Sequence, residues 1–277
     1  MLPNSVDRLL AMSAFEAAHA LRSFRVRHPE LPNDKLIETA RAVNVNFFPH
    51  DYSAGVALER SIPDGLEDDL EMFFTAAIDA IIEAHRPFWV RLAPGGRNSV
   101  CAALDENGRQ CFRNAGLLGT SERAIVWWDQ MAAAARMAQD YDRLVQGRKG
   151  ERLSFEHEKA LLKAQGIDKE PLWVALDDNS LGYDILSYRW HGNHVVNRLI
   201  EVKTSSSKPP RLILTRNEWW SADRYGDAFE YHIWTFPNET LTIKSADSVR
   251  PHIPCNAGVG EWLDVEIILP DELSDAG

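Results

Sequence analysis

Residues 182–204 read GYDILSYRWHGNHVVNRLIEVKT, and this stretch decides the fold of the second half of the chain. Two runs rich in β-branched and aromatic residues flank Gly192 and Asn193, a pair typical of a tight hairpin turn. With a two-residue turn at that pair, His191 opposes His194 and the numbers of all opposed residues sum to 385. A four-residue loop gives the same register. We therefore predict an antiparallel hairpin of two strands, 182–190 and 195–204.

The predicted register brings two carboxylates together. Asp184 stands opposite Glu201, and the Cβ atoms of directly opposed residues are about 4.5–5.5 Å apart. Two carboxylates at this separation repel each other, and a divalent cation between them would offset that cost. Lys203 projects from the same face as Glu201, because side chains alternate along a strand. The sequence thus predicts two oxygen ligands and an ammonium group in one place.

The opposite face of the hairpin is expected to be a core face. The same register places Ile185 opposite Ile200 and Tyr183 opposite Val202. A hairpin with apolar side chains on one face and charged ones on the other can bury the first in a core. We therefore expect the carboxylates to face a cleft.

The residue types in this cluster indicate phosphate chemistry. Hard oxygen ligands beside a lysine suit Mg²⁺, which would polarise a scissile phosphate and lower the pKa of a bound water. Lys203 would position that water or stabilise the developing charge on the phosphoryl oxygens. The stretch 185–224 holds seven Lys and Arg against three Asp and Glu, which favours an anionic ligand. A Glu-x-Lys pattern is also common as a solvated charge pair on a strand, and that alternative stays open.

Length and composition exclude several classes of protein. The 277 residues suffice for one large domain or two modest ones, and 45% apolar and 26% charged residues are typical of a globular chain. The net charge of −11 excludes a polybasic protein that coats nucleic acid or membranes. No apolar run approaches the roughly 18–20 residues that span a bilayer, and the first residues lack a secretory signal. Three widely spaced cysteines without a CxxC pair disfavour disulfides and a zinc site, which favours a cytoplasmic protein.

Helical periodicity dominates the first half of the chain and β patterns the second. We predict helices at 5–25, 33–43, 66–84, 98–104, 109–115 and 121–144, and a short strand at 88–92. Gly147 and Gly150 interrupt the helical pattern and give the predicted domain boundary. After it we predict helix 151–165, strands 172–176, 182–190, 195–204, 229–236 and 241–243, and helix 217–224. The expected architecture is α/β (α+β), with a mainly helical domain at 1–146 and a sheet-containing domain at 147–277.

Four short segments, taken in order, resemble one known family. They are GYDILSY (182–188), IEVKT (200–204), LTRNEW (214–219) and YHIW (231–234). Together they are similar to the family named for the C-terminal domain of the protein NO VEIN. That family is similar to the PD-(D/E)xK nuclease superfamily, whose restriction-endonuclease-like core is a helix, a central mixed sheet and a flanking helix. The resemblance covers roughly residues 147–236 and implies this fold for the second domain.

The resemblance also implies roles for individual residues. Asp184, Glu201 and Lys203 fall on the superfamily's metal-and-water triad, and Val202 counts with Asp184 and Glu201 as a metal ligand. Glu151 falls on the acidic residue of a glycine–glutamate pair at the start of the first core helix. It would be a further acidic contributor to catalysis.

Two other positions bear on this assignment. Glu158 lies two turns after Glu151 on the same helix face and is the alternative acidic residue. Tyr183 stands where the superfamily's motif has proline, a variation that the superfamily tolerates.

These residues together imply a nuclease. The resemblance predicts a Mg²⁺-dependent enzyme, with Mn²⁺ as a substitute, that cleaves nucleic acid, DNA in the first instance, in bacterial defence or restriction. The helical domain at 1–146 would supply specificity or bind a partner protein, and no membrane partner is expected. A homodimer would suit an enzyme that cuts two strands.

Two other functions stay open at this point. The same fold can serve as a catalytically inactive interaction module that docks a partner protein of a defence or DNA-processing complex, because a fold does not fix a function. Alternatively, residues 112–118 resemble the end of a winged-helix recognition unit, which would make the protein a DNA-binding regulator.

Overall fold

The computed structural model describes residues 5–43 and 50–269. The chain divides into two compact units, Met1–Asp140 and Tyr141–Gly277, and each contains a hydrophobic core. The architecture is α+β, as predicted, because the described part of the first unit is helical and the second contains a mixed sheet flanked by helices. No helix in the described ranges is both long and apolar enough to cross a membrane.

Aromatic side chains fill the core of the first unit. The rings of Phe15 and Phe74 pack edge to face with centroids 5.2 Å apart, and Phe112 in the same cluster is wholly buried. The helices of the described residues are α1 (Val6–Leu9), α2 (Met12–Arg27), α3 (Asn33–Val43), α4 (Tyr52–Glu59), α5 (Leu70–His85), a 3₁₀ helix (Phe88–Gly95), α6 (Arg97–Ala103), α7 (Glu106–Asn114) and α8 (Glu122–Ala164), which continues into the second unit.

The predicted strand at residues 88–92 is wrong, because these residues form part of a 3₁₀ helix. Trp89 and Ala93 are its buried residues, but Arg91 between them is exposed, so burial does not follow the alternation of a half-buried strand. In the segment 112–118, the side chains of Phe112, Ala115 and Leu117 are buried in the core. These three side chains are therefore not available to read DNA bases.

The predicted helix break at residues 147–150 is also wrong, because α8 is continuous from Glu122 to Ala164. A glycine inside a helix costs about 1 kcal/mol relative to alanine, so a mid-helix glycine needs a physical reason. At Gly150 the reason is a close approach, since a Cβ there would lie 2.4 Å from Thr204 Cγ2. At Gly147 a Cβ would meet no atom within 4 Å, and nothing in the structure requires a glycine at that position.

The second unit is built on a five-stranded sheet with the order β1-β2-β3-β5-β6. Strands β3 and β5 run parallel and the other neighbours antiparallel, so the sheet is mixed. Strands β4 and β7 form a separate antiparallel pair. The elements after α8 are β1 (Leu172–Trp173), β2 (Ile185–His191), β3 (His194–Ser205), β4 (Arg211–Thr215), α9 (Arg216–Tyr225), β5 (Phe229–Thr235), β6 (Thr240–Ser245), α10 (Ala246–Val249) and β7 (Asp264–Ile268), with 3₁₀ turns at Val174–Leu176, Asn179–Leu181, Gly226–Ala228 and Arg250–His252.

The hairpin forms with the predicted register. Its pairs run from His191–His194 to Ile185–Ile200, so opposed numbers sum to 385 as expected. Gly192 in the turn has a φ of 58°, a left-handed conformation that glycine adopts at little steric cost.

Both faces of the sheet are covered. On one face, Ile200 and Val202 of β3 pack in a cluster with Leu153 of α8. On the other face, Leu199 of β3 packs in a cluster with Trp219 of α9. A helix, a mixed sheet and a second helix therefore form three layers, with β3 in the middle.

Candidate functional site

Asp184 lies at the point where the hairpin ladder ends. The last regular pair is Ile185–Ile200, so Asp184 does not oppose Glu201 as an ordinary strand pair, which corrects the sequence prediction. Its backbone N–H donates to the carbonyl of Ile200 at 2.9 Å. Its Oδ2 accepts a hydrogen bond from the Val202 N–H at 2.7 Å. The Asp184 carboxylate thus accepts the hydrogen bond from β3 that a backbone carbonyl of the neighbouring strand accepts in a regular ladder.

A left-handed glycine directs the chain into this position. Gly182 has a φ of 73°, and a Cβ there would lie 2.4 Å from Ser221 Oγ of α9. The next residue, Tyr183, packs edge to face with Tyr225 at 6.4 Å between ring centroids, on the side of the sheet that α9 covers. The prediction that Tyr183 shares the core face of Val202 is therefore wrong.

Glu201 and Lys203 share one face of β3, as side-chain alternation predicts. The Nζ of Lys203 lies 2.9 Å from Oε1 of Glu201. Glu201 is only 4% exposed and α9 packs over it, whereas Asp184 and Lys203 are partly exposed. The expectation of an open carboxylate face is wrong for Glu201, since the sequence pattern does not show that a helix covers that side.

Glu218 adds a third carboxylate that the sequence analysis did not place in the site. It forms a capping box at the start of α9: Oε2 of Glu218 accepts from the Thr215 N–H at 2.8 Å, and the Thr215 hydroxyl accepts from the Glu218 N–H at 3.4 Å. The same Oε2 lies 2.6 Å from Nζ of Lys203. The segment 214–219 is one of the four motifs that resemble the family, so the sequence did indicate that this region matters. Only the packing of α9 shows that Glu218 of this segment contacts Lys203.

Burial and like charges disturb the protonation of these groups. Desolvation, together with the charges of Glu151 and Glu218, raises the pKa of Asp184 to about 7. Desolvation and the charge of Asp184 also raise the pKa of Glu201 well above its ordinary value. The pKa of Lys203 is raised, because its two carboxylate partners outweigh the effect of burial. Lys203 is therefore an ammonium group at any physiological pH.

Glu151 lies near the site but has other partners. Its Oε2 accepts hydrogen bonds from Arg148 Nη1 and from Trp173 Nε1, both at 2.7 Å. Its charge acts on Asp184 through space, and its position is inside α8 rather than at the start of a helix. These contacts place Glu151 beside the cluster, with its carboxylate held by an arginine and a tryptophan.

Glu158 belongs to a different cluster, sealed between α8 and the sheet. Its Oε1 lies 3.5 Å from Arg198 Nη2 and 3.7 Å from His232 Nε2, and His232 Nδ1 lies 3.2 Å from Ser154 Oγ. A serine, a histidine and a glutamate in line invite comparison with a hydrolase triad. However, Ser154, Glu158 and His232 are all 0% exposed, so no substrate can reach the serine, and the cluster is structural.

The donor set fits a magnesium ion held by few protein ligands. In the residues that the structure describes, no three His, Cys, Asp or Glu side chains are grouped so that they could hold a metal by themselves. Mg²⁺ is commonly held by one or two carboxylates plus water and substrate phosphate, and Asp184 and Glu201 supply two such groups. Val202 could ligate only through its carbonyl, because its N–H is bonded to Asp184 and its side chain lies in the core under α8.

Comparison with known proteins finds one family that matches part of the chain. The model of the family described as "Protein NO VEIN, C-terminal" matches residues 150–244, about a third of the chain. The predicted resemblance to that family is confirmed, and the matched range contains Asp184, Glu201, Lys203 and Glu218. Neither a curated protein nor a solved structure matches the chain.

Proposed function

We propose that the NO VEIN C-terminal domain at residues 150–244 makes this protein a Mg²⁺-dependent nuclease whose site is built by Asp184, Glu201 and Lys203. The proposed substrate is nucleic acid, DNA in the first instance, and the setting is bacterial defence or restriction. At the level of fold, the order helix, mixed sheet, flanking helix supports the proposal, because the PD-(D/E)xK resemblance implies the same order.

The observation that carries the proposal is the charge of the site. Three carboxylates, those of Asp184, Glu201 and Glu218, lie within electrostatic reach of the single ammonium of Lys203. When ionised, the four groups have a formal charge of −2. Burying such charge without compensation is unfavourable, and one divalent cation removes it. Without a cation, the net negative charge of the site destabilises the folded protein, and with a divalent cation the site is neutral. This behaviour is typical of a functional centre rather than of a structural ion pair.

Each residue has a role that its contacts support. Bound Mg²⁺ would polarise the scissile phosphate and provide an activated water. Asp184, oriented by the Val202 N–H, and Glu201 would hold the cation. Lys203 would stabilise the negative charge that develops on the phosphoryl oxygens. It would not act as a base, because its two carboxylate partners keep it protonated.

The test is metal-dependent cleavage by the purified full-length chain. Plasmid DNA, single-stranded DNA and RNA are incubated with Mg²⁺, Mn²⁺ or EDTA. We expect cleavage only with metal, and a loss of at least about a hundredfold in Asp184→Ala and Lys203→Ala. Lys208→Ala removes the same charge from an exposed position of the following loop and serves as the matched control. No cleavage with either metal, or equal cleavage by Asp184→Ala, would reject the proposal.

A second candidate function is a nuclease-fold module that docks a partner protein without catalysis. The specific observation in its favour is that Glu201 is 4% exposed and already paired with Lys203, as in a structural ion pair. Metal binding separates the two functions. Under this second function Mn²⁺ leaves the melting temperature unchanged, whereas a metal site predicts stabilisation by Mn²⁺ that Asp184→Asn abolishes.

A further inference from the structure

Lys203 is held between two carboxylates that come from different elements. Its Nζ is 2.9 Å from Glu201 Oε1 on β3 and 2.6 Å from Glu218 Oε2 on α9. The side chains of all three residues are at most 18% exposed, so solvent screening of these charges is weak. Glu218 is the nearer partner, although Glu201 is the nearer residue in sequence.

Under the proposed function, metal binding to Glu201 weakens the contact between Lys203 and Glu201. A cation bound to the Glu201 carboxylate competes with the ammonium for the same oxygen atoms, because both are positive. With Glu201 alone as partner, Lys203 would lose its anchor when the metal binds. A long lysine side chain without an anchor must lose rotamer entropy before it can act on a phosphate.

Glu218 supplies an anchor that does not depend on the metal. Its Oε2 is fixed by the Thr215 N–H at 2.8 Å, at the start of α9. The helix dipole favours a negative charge at that end. An ammonium group has three donors, so Lys203 can stay bonded to Glu218 and still donate to a substrate oxygen.

We infer that Glu218 is a positioning residue that keeps Lys203 in the site when a divalent cation occupies Glu201. This inference rests on the proposed function and names a residue that acts through Lys203 rather than on the substrate. Its structural alternative is that Glu218 serves only the capping box with Thr215.

Two variants of Glu218 separate these roles, with one control. Glu218→Gln keeps an oxygen acceptor for the Thr215 N–H but removes the charge. Glu218→Asp keeps the charge but withdraws the carboxylate from Lys203 by about 1.5 Å, one carbon–carbon bond, and it remains usable if the first variant fails to fold. Thr215→Ala removes the other half of the capping box and leaves the carboxylate of Glu218 in place. It is the control for lost capping.

The first readout is the NMR signal of the Lys203 ammonium group, which is visible only while hydrogen bonds slow its exchange with water. It is measured in the full chain with and without Mg²⁺. We expect the signal to persist with Mg²⁺ in the wild type and in Thr215→Ala, and to disappear with Mg²⁺ in both Glu218 variants. The second readout is cleavage, where we expect kcat to fall 10- to 100-fold in the Glu218 variants with little change in KM, and no such fall in Thr215→Ala.

The outcomes distinguish the inference from the proposed function. If the wild type binds Mg²⁺ and cleaves, but Glu218→Gln and Glu218→Asp behave like it, the inference alone is overturned. Equal losses in Thr215→Ala and the Glu218 variants also overturn it, because capping would then explain the effect. If the wild type neither binds Mg²⁺ nor cleaves, the proposed function is overturned and the inference with it.

Discussion

Gly150 of α8 faces Thr204 of β3 so closely that a Cβ at position 150 would lie 2.4 Å from Thr204 Cγ2. The contact brings the helix against the strand that carries Glu201 and Lys203. We expect Gly150→Ala to lower the free energy of unfolding by about 1–3 kcal/mol, as is typical of overpacking, measured by urea denaturation. Gly147→Ala, three residues earlier in open space, is the control and should raise it by about 0.5–1 kcal/mol through helix propensity. A Gly150→Ala variant as stable as its control would contradict the close approach.

The hydroxyl of Tyr231 is buried without a hydrogen-bond partner in the described structure. Tyr231 pairs with Glu201 across β3 and β5. An unpaired buried hydroxyl costs about 1–3 kcal/mol, so we expect Tyr231→Phe to raise the free energy of unfolding by about 1 kcal/mol. Tyr225→Phe, at an exposed ring, should change it by less than about 0.5 kcal/mol. A destabilised Tyr231→Phe would instead show that the hydroxyl is bonded to an ordered water.

His232 should make the protein sensitive to acid. Arg198 Nη2 lies 3.4 Å from His232 Nε2, and Nδ1 lies 3.2 Å from Ser154 Oγ. An arginine can only donate, so Nε2 accepts and the ring is neutral, and its 3.7 Å approach to Glu158 is not an ion pair. Burial and the charges of Arg198 and His157 lower the pKa of His232 to about 3.

The sign of the pH effect follows from that lowered pKa. The unfolded chain binds a proton at His232 near pH 6.5, but the folded chain does not. The stability that this residue contributes is therefore complete above pH 6.5 and is lost as the pH falls from 6.5 towards 3. We expect the melting temperature of His232→Asn to depend less steeply on pH in this window than that of the wild type. Parallel profiles for the two proteins would show that His232 is not the group responsible.

Asp184 should make the folded protein less stable as the pH rises, whereas His232 makes it less stable as the pH falls. Its pKa is raised to about 7 in the folded chain, so the folded protein holds a proton there that the unfolded chain releases near pH 4. The stabilisation is present below pH 4 and is lost as the pH rises from 4 to 7. Without metal, Asp184→Asn should therefore melt at a higher temperature than the wild type at pH 8, and at nearly the same temperature at pH 4. Thermal melts at the two pH values in EDTA measure this, and equal differences at both would contradict it.

The sequence by itself determined the hairpin and the shared face of Glu201 and Lys203. Both follow from short-range rules, because strand side chains alternate with period two and Gly192–Asn193 fixes the turn. The helical character of the first half was also predictable from periodicity. The strand predicted at residues 88–92 failed because a short apolar run contains too few residues to distinguish a 3₁₀ helix from a strand.

Only the tertiary structure decided how the carboxylates are used. Asp184 leaves the ladder to bond Val202, Glu218 reaches Lys203 from α9, and Glu151 is held by Arg148. These contacts depend on where helices α8 and α9 pack on the sheet. That packing is determined jointly by buried side chains from segments that are far apart in the sequence. Local patterns in a sequence do not contain that information. The sequence therefore identified Asp184, Glu201 and Lys203 as candidate residues, but the packing of α9 determined that Lys203 has a second partner.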